Sequence, residues 1–181
     1  GLKIHNIKSK DFIENEITDL FNNVFIHDIL AFKSNIYIAT ETGLFIYNFK
    51  NDILYDYMDY GYKNKDFIFP SNQLSFTSIA IYKSSIFFST RESIIQLDTS
   101  NRKWSEVINS TIYLGEEIID FDVNKNDFFI ATINKLTHYN NKKKMPKYFN
   151  YKFLGNINKL KVDNQKLWIG TSEGIISFRY K

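Results

Sequence analysis

The chain has 181 residues, its 23 basic side chains are interspersed with 20 acidic ones for a net charge of +3, and it is 44% hydrophobic and 17% aromatic, with 17 Phe and 12 Tyr. A chain this long removes roughly 70% of its unfolded surface from water, so a real core is expected, and its dominant residue types suit a pleated sheet better than a helix. The mild charge argues against a nucleic-acid partner, no apolar run approaches the roughly 20 residues of a membrane span, and with no cysteine there is no disulfide, thiolate metal site or cysteine nucleophile.

In chain order, Leu2 to Ile7 alternates as a strand, and Ile13, Ile17, Leu20 and Phe21 have the spacing of a turn or two of helix, with a strand and loop reading nearly as good. Val24 to Phe32 reads as a strand that turns through Lys33, Ser34 and Asn35 into IYIATETGLFIYNF, Ile36 to Phe49, and a fourth strand follows at Ile53 to Tyr57. Met58 to Gln73 is the longest irregular stretch. A second set of strands runs Leu74 to Tyr82, Ile86 to Thr90, Ser93 to Leu97 and Trp104 to Val107; a third runs Ile118 to Val123, Asp127 to Thr132, Lys135 to Tyr139 and about Lys147 to Lys152. The last set, Ile157 to Val162, Leu167 to Thr171 and Gly174 to Tyr180, stops one strand short.

These sets are copies of one unit. In LWIGTSEGIISFRY, Leu167 to Tyr180, the side chains of Leu167, Ile169 and Thr171 share one side of an extended strand, and Gly174 sits where a short hairpin loop calls for positive φ. Ala39-Thr40, Ser89-Thr90 and Ala131-Thr132 repeat the small-residue and threonine pair; Gly43 repeats the glycine, while Ser93 and Lys135 replace it. The four threonines are spaced 50, 42 and 39 residues apart, the period of blades of about four strands. The expected fold is all-β: a β-propeller with blades at 24–57, 74–107, 118–152 and 157–180. Either Leu2 to Ile7 supplies the strand missing from the last blade and closes a four-bladed ring, or the four blades are part of a larger propeller. The start, GLKIHNIK, lacks the apolar core of a signal peptide and reads as the beginning of a mature chain or of a fragment.

LWIGTSEGIISF, and less fully IYIATETGLFIYN, resembles the two-component regulator propeller repeat, whose blades carry a W-I-G-T-x-x-G-L core. Only the first and fourth copies keep the glycine, and only the fourth keeps the tryptophan, Trp168. The resemblance implies the sensor portion of a bacterial hybrid histidine kinase or a related surface protein. It further implies an extracytoplasmic location, a ligand-sensing or interaction role without catalysis, no cofactor, and association with further blades or a kinase region. In that family the motif residues are structural.

Candidate chemistry is sparse. His5, His27 and His138 lie far apart, without the close spacing of a metal pair, so no metal is implied. Asp28, Asp120 and Asp122 lie on the first strands of two blades and are nominated for the mouth of a central channel; Asp120 and Asp122 are too few, and lack the loop, for a calcium site. Tyr55, Tyr57, Tyr60, Tyr62, Phe67 and Phe69, in and around the long insertion, either form an aromatic platform for a glycan or protein or fold over the blade edge as core. Lys142, Lys143 and Lys144 read as a solvated hairpin tip. The expected function is a non-catalytic ligand-sensing or protein-interaction platform. The alternatives are a carbohydrate-active propeller enzyme, whose paired carboxylates would converge at the mouth, and an architectural subunit that packs through the edge of its fourth blade.

Overall fold

A computed structural model describes every residue except 1, 6, 14–15, 62–66, 68, 70–73, 92, 134, 151–154 and 181. The repeat folds as four antiparallel sheets set in a ring. Blade one comprises β3 (Ile26–Phe32), β4 (Asn35–Thr40), β5 (Gly43–Asn48) and β6 (Ile53–Asp56). Blade two comprises β7 (Phe76–Tyr82), β8 (Ser85–Thr90), β9 (Ser93–Asp98) and β10 (Lys103–Asn109), and blade three β11 (Ile118–Asn124), β12 (Asp127–Thr132), β13 (Lys135–Asn140) and β14 (Met145–Asn150). Blade four has β15 (Ile157–Asp163), β16 (Lys166–Thr171) and β17 (Gly174–Arg179). Ahead of them come a small hairpin, β1 (Ile4–His5) with β2 (Phe12–Ile13), and a short helix α1 (Glu16–Leu20), the helical alternative read from the spacing of Ile17 and Phe21.

The small-residue and threonine pair has one role in every copy. Each threonine hydroxyl reaches across its hairpin to the carbonyl three residues on: Thr40 to Gly43 at 2.8 Å, Thr90 to Ser93 at 3.0 Å, Thr171 to Gly174 at 3.0 Å, and Thr132 to Lys135 at 3.2 Å, where the proton is shared with the nearer Glu116 carboxylate at 2.5 Å. The small residue before it pairs with the inner strand, Ala39 with Asp28, Ser89 with Ser78, Ala131 with Asp120 and Gly170 with Lys159. The hairpin does not demand a glycine, however. Gly174 has φ +134°, yet Ser93 and Lys135 hold the same place in blades two and three, where a threonine hydroxyl reaches the carbonyl as it does at Gly174. Replacing the fully buried Thr90 with valine removes the hydroxyl that both the Ser93 carbonyl and amide bond and should cost about 1–2 kcal/mol in urea unfolding, against less than about 0.5 kcal/mol for the more exposed Thr171→Val.

Alternation gives each sheet two apolar faces, and a blade can hide them only against its neighbours. Tyr37, Leu44 and Ile46 of blade one meet Phe76, Ile86, Phe88 and Trp104 of blade two; Phe87 and Ile94 of blade two meet Phe128 and Ile130 of blade three; Phe129 and Leu136 of blade three meet Leu160, Leu167 and Ile169 of blade four. Among the described residues no apolar cluster joins blade four to blade one. The face of blade one that looks that way, with Ile38, Tyr47, Ile36 and Phe45, is covered instead by Ile17 and Phe21 of the helical segment together with Leu2 and Ile4.

This corrects the closing-strand expectation. Ile4 pairs with Ile13 and His5 with Phe12, so the 2–7 segment does not complete blade four. A hairpin partner a few residues away costs far less loop entropy than one at the far end of the chain. Once folded, the hairpin and helix shield the first blade.

Candidate functional site

The apolar residues of each inner strand are spaced three and then two apart: Ile26, Ile29, Ala31; Phe76, Ile79, Ile81; Ile118, Phe121, Val123; Ile157, Leu160, Val162. The structure explains this stutter. Register with the second strand slips between Ile26 and Asp28, Phe76 and Ser78, Ile118 and Asp120, and Ile157 and Lys159. Each slip is a β-bulge, which adds one unpaired residue and re-aims the side chains beside it. The added residues are His27, Thr77, Ile119 and Asn158; the residues just after them are Asp28, Ser78, Asp120 and Lys159.

The second group forms a connected polar cluster. The Asp28 carboxylate accepts from Ile79 N at 2.9 Å, from Ser78 Oγ at 3.4 Å and from Lys159 Nζ at 3.2 Å. Asp120 accepts from the hydroxyl of Ser78, from Lys159 Nζ at 3.0 Å and from Leu160 N at 2.6 Å. One step along β11, Asp122 accepts from Val162 N at 2.7 Å and Val123 N at 2.8 Å and pairs with Lys161 Nζ at 3.1 Å. Burial pushes the Asp120 carboxyl above its usual range, with Lys159, Ser78 and Leu160 pulling the other way. Burial alone would lower Lys159, but Asp120 and then Asp28 hold it above its ordinary value.

The three aspartates nominated for the channel are thus brought to the inner strands, and Asp28 and Asp120 share one lysine. Their oxygens are taken up by backbone N–H groups of the neighbouring blade, and no buried side-chain polar atom among the described residues lacks a partner. The cluster binds blade to blade. As it stands it offers no free carboxylate pair of the kind glycoside hydrolysis uses.

The bulged residues build a different feature. His27, Thr77 and Ile119, with Phe25, Ile26, Glu117, Ile118 and Ile133, line a cleft of about 420 Å³ where the inner strands of blades one, two and three begin. Phe25 is 62% exposed and Ile133 71%, so the cleft's walls present apolar surface to water. The Phe25 ring meets the His27 ring edge-on at 4.9 Å, and Phe25 N donates to Glu41 Oε1 at 3.1 Å, so this wall is braced. The cleft's volume and mostly apolar lining fall in the range of small-ligand sites, in an open depression. Sequence reasoning missed this cleft, although the spacing of three then two was in view.

The insertion aromatics go elsewhere. Tyr57, Tyr60 and Phe69 are buried in the core between blades one and two, and Tyr55 and Phe67 pack partly buried against it. Ring contacts run from Tyr57 to Phe69 at 4.7 Å and from Phe69 to Trp104 at 5.4 Å. Burial puts Tyr57, Tyr60 and Phe69 out of an external ligand's reach, which favours the core alternative; Tyr62 lies outside the described residues. Of the histidines, His27 lines the cleft, His138 meets Asp127 at 2.9 Å and stacks on Phe129, and His5 lies against Phe12. No group of metal-ligating side chains occurs among the described residues. Nor is any described helix long and apolar enough to cross a membrane.

No family model matches the chain, and no curated protein matches it. Solved structures do. The extracellular domain of BT4673 from B. thetaiotaomicron, a protein classed as a hybrid two component system, superposes with a TM-score of 0.72 at 18% identity over 99% of this chain and 25% of that one. The corresponding domain of BT3049 from the same organism gives a TM-score of 0.65 at 21% identity over 94% of this chain and again 25% of that one. The computationally designed Ika4 protein, with a TM-score of 0.59 at 8% identity, is matched over 88% of this chain and 94% of its own. At these identities the likeness establishes the fold. The chain spans about a quarter of the length of the two extracellular domains.

Proposed function

We propose that this chain is a ligand-sensing propeller module of a bacterial signalling protein displayed outside the cytoplasm, and that the cleft of Phe25, His27, Thr77, Ile119 and Ile133 receives the ligand. The observation that carries this reading is the coincidence of the β-bulges with the cleft. Three of the four bulged residues line it, so the feature that breaks the strand pattern in every blade also shapes the concavity. The walls are apolar, with the His27 imidazole and the Glu117 carboxylate as the polar groups, while the Thr77 hydroxyl is held by Ser89 Oγ at 2.8 Å. This suits a small ligand or peptide end with an apolar body and one hydrogen-bonding or cationic group. Likeness to extracellular domains of two component proteins supports the setting, in which such a module would be joined to further blades or a kinase region.

A ligand that binds only the folded chain, supplied at 100 times its Kd, adds about 2.7 kcal/mol of stability. A thermal-shift screen of soluble glycans, peptides and amphipathic metabolites should therefore return a compound that raises the melting temperature of the wild type. Ile119→Asp, which places a charge on the exposed wall of the cleft, should abolish that rise while leaving the unliganded melting temperature nearly unchanged. A hit whose effect survives Ile119→Asp would place the site elsewhere.

A further inference from the structure

We propose that the face opposite the mouth is a docking surface for a lipid bilayer with anionic headgroups. The inner strands β3, β7, β11 and β15 are neighbours that all start at the mouth, as their linked bulge residues show, so antiparallel pairing sends the hairpins after first and third strands to the far end. These described turns, 33–34, 49–52, 83–84, 99–102, 125–126, 141–144 and 164–165, hold eight basic residues against one acid, Asp52, whose carboxylate accepts from the Tyr47 hydroxyl at 2.8 Å. The mouth side has the opposite sign. At their described positions, its hairpins and the link into β11 carry Glu41, Glu116, Glu117 and Glu173 against Arg91. The net charge of +3 thus conceals two faces of opposite sign, and a flat partner meets one face only.

The cations are placed where the turns themselves do not call for them. Lys33, Lys83, Arg102, Lys125 and Lys144 all have φ between +55° and +57°, a left-handed conformation that asparagine or glycine adopts more readily. Blade four shows the ordinary solution, with Asn164 at φ +45°. All five are exposed, and none is paired with a carboxylate among the described residues. Strain of this kind, repeated in three blades, marks a requirement other than folding. What the tips expose beside the charges selects a bilayer over a linear polyanion. Phe49 is 52% and Met145 63% exposed, next to Lys50 and Lys144, and the Nζ atoms of Lys33 and Lys83 lie over the rings of Phe32 and Tyr82 at 5.2 and 5.6 Å. Basic side chains interspersed with apolar ones across one face suit a headgroup layer, where charge and buried apolar surface act together. A docked chain leaves its mouth open to solvent. The face shares no residue with the mouth cleft, so the proposal stands or falls independently of the ligand reading.

The probe is a pair of vesicle preparations, phosphatidylcholine alone and phosphatidylcholine with phosphatidylglycerol, sedimented with the intact chain. Anionic vesicles should carry the chain down at about 0.1 M salt and release it at about 1 M, where the screening length falls from about 10 to about 3 Å; neutral vesicles should not retain it. Lys33→Asn, Lys83→Asn and Lys125→Asn together should lower partitioning by about fiftyfold or more, at about fivefold per charge. The urea midpoint of that variant should hold or rise, because asparagine suits these turns. Lys142→Gln with Lys143→Gln, at an exposed tip, should lower partitioning by about tenfold or more and repeats the test should the triple variant unfold. Arg91→Gln, on the mouth side, should leave partitioning unchanged. Equal binding to neutral vesicles, or binding unchanged in the folded lysine variants, would overturn the proposal. So would binding to soluble dextran sulfate without binding to anionic vesicles, which would assign the face to a polyanionic chain.

Discussion

Replacing Trp104 with alanine should remove about 3–5 kcal/mol of stability, the largest single loss expected outside the ring's centre. The ring is fully buried, lies 5.4 Å from Phe69 and 5.6 Å from Phe88, and joins blade two to the insertion that follows blade one. Its Nε1 donates to the carbonyl of Tyr60 at 2.6 Å, and the truncation orphans that carbonyl as well as opening a cavity. Against the 5–15 kcal/mol that holds a typical domain together, the loss of about 3–5 is a large fraction. Trp104→Phe separates the two contributions: it keeps most of the packing and gives up the hydrogen bond, so about 1–2 kcal/mol should be lost. Urea unfolding followed by far-UV circular dichroism decides this, since fluorescence in these variants would report on Trp168 alone. The fit is close on the other side too. A Cβ on Gly61, whose φ is +91°, would collide with the Arg102 carbonyl oxygen and fall 3.2 Å from Trp104 Nε1, so Gly61→Ala should destabilise the same junction.

Asp120→Ala is the second large effect, at about 1–3 kcal/mol, because it leaves the Leu160 amide without its acceptor and opens the join between blades. Only 1% of Asp120 is exposed, and its carboxylate gathers donors from β7 and β15 at once. Lys159→Met should cost less than about 1 kcal/mol, since the lysine side chain is 59% exposed and its ion pair is screened. A larger loss for Lys159→Met than for Asp120→Ala would show that the ion pair, and not the interstrand hydrogen bonding, holds the cluster. The pH dependence has a definite sign. Asp120 titrates higher in the folded chain than in the unfolded one, so the folded chain holds its proton longer. The resulting stability is fully present below the ordinary carboxylate value of about 4 and is lost as pH rises through the elevated one. Lys159, held above its ordinary value, contributes stability below a pH of about 10.4 that is lost on further rise. Urea midpoints measured across weakly acidic pH should therefore fall with rising pH in the wild type and be flatter in Asp120→Asn.

Much of the fold was legible because the threonine pair and the two-residue alternation are local rules, repeated. Thr40, Thr90, Thr132 and Thr171 do the same job in four hairpins, and strand boundaries follow the apolar pattern to within a residue or two. The fate of Leu2 to Ile7 was not legible. Its alternation specifies a strand but not a partner, and two partners competed, one close in sequence and one at the far end of the chain. The insertion aromatics were ambiguous for a related reason, because Tyr57 and Phe69 are apolar enough for either role and only the position of Trp104 decides between them. The mouth cleft depends on three blades converging, and no window of sequence contains that. Asp28, Asp120 and Asp122 were rightly assigned to the inner strands. What could not be read was that their lone pairs would be spent on the amides of Ile79, Leu160 and Val162.

Those three amides make the molecule a wheel with a wired hub and a looser rim. Hydrogen exchange at Ile79, Leu160 and Val162 requires neighbouring spokes to part, so it should track global unfolding, while the amides of β17 open in smaller, local events.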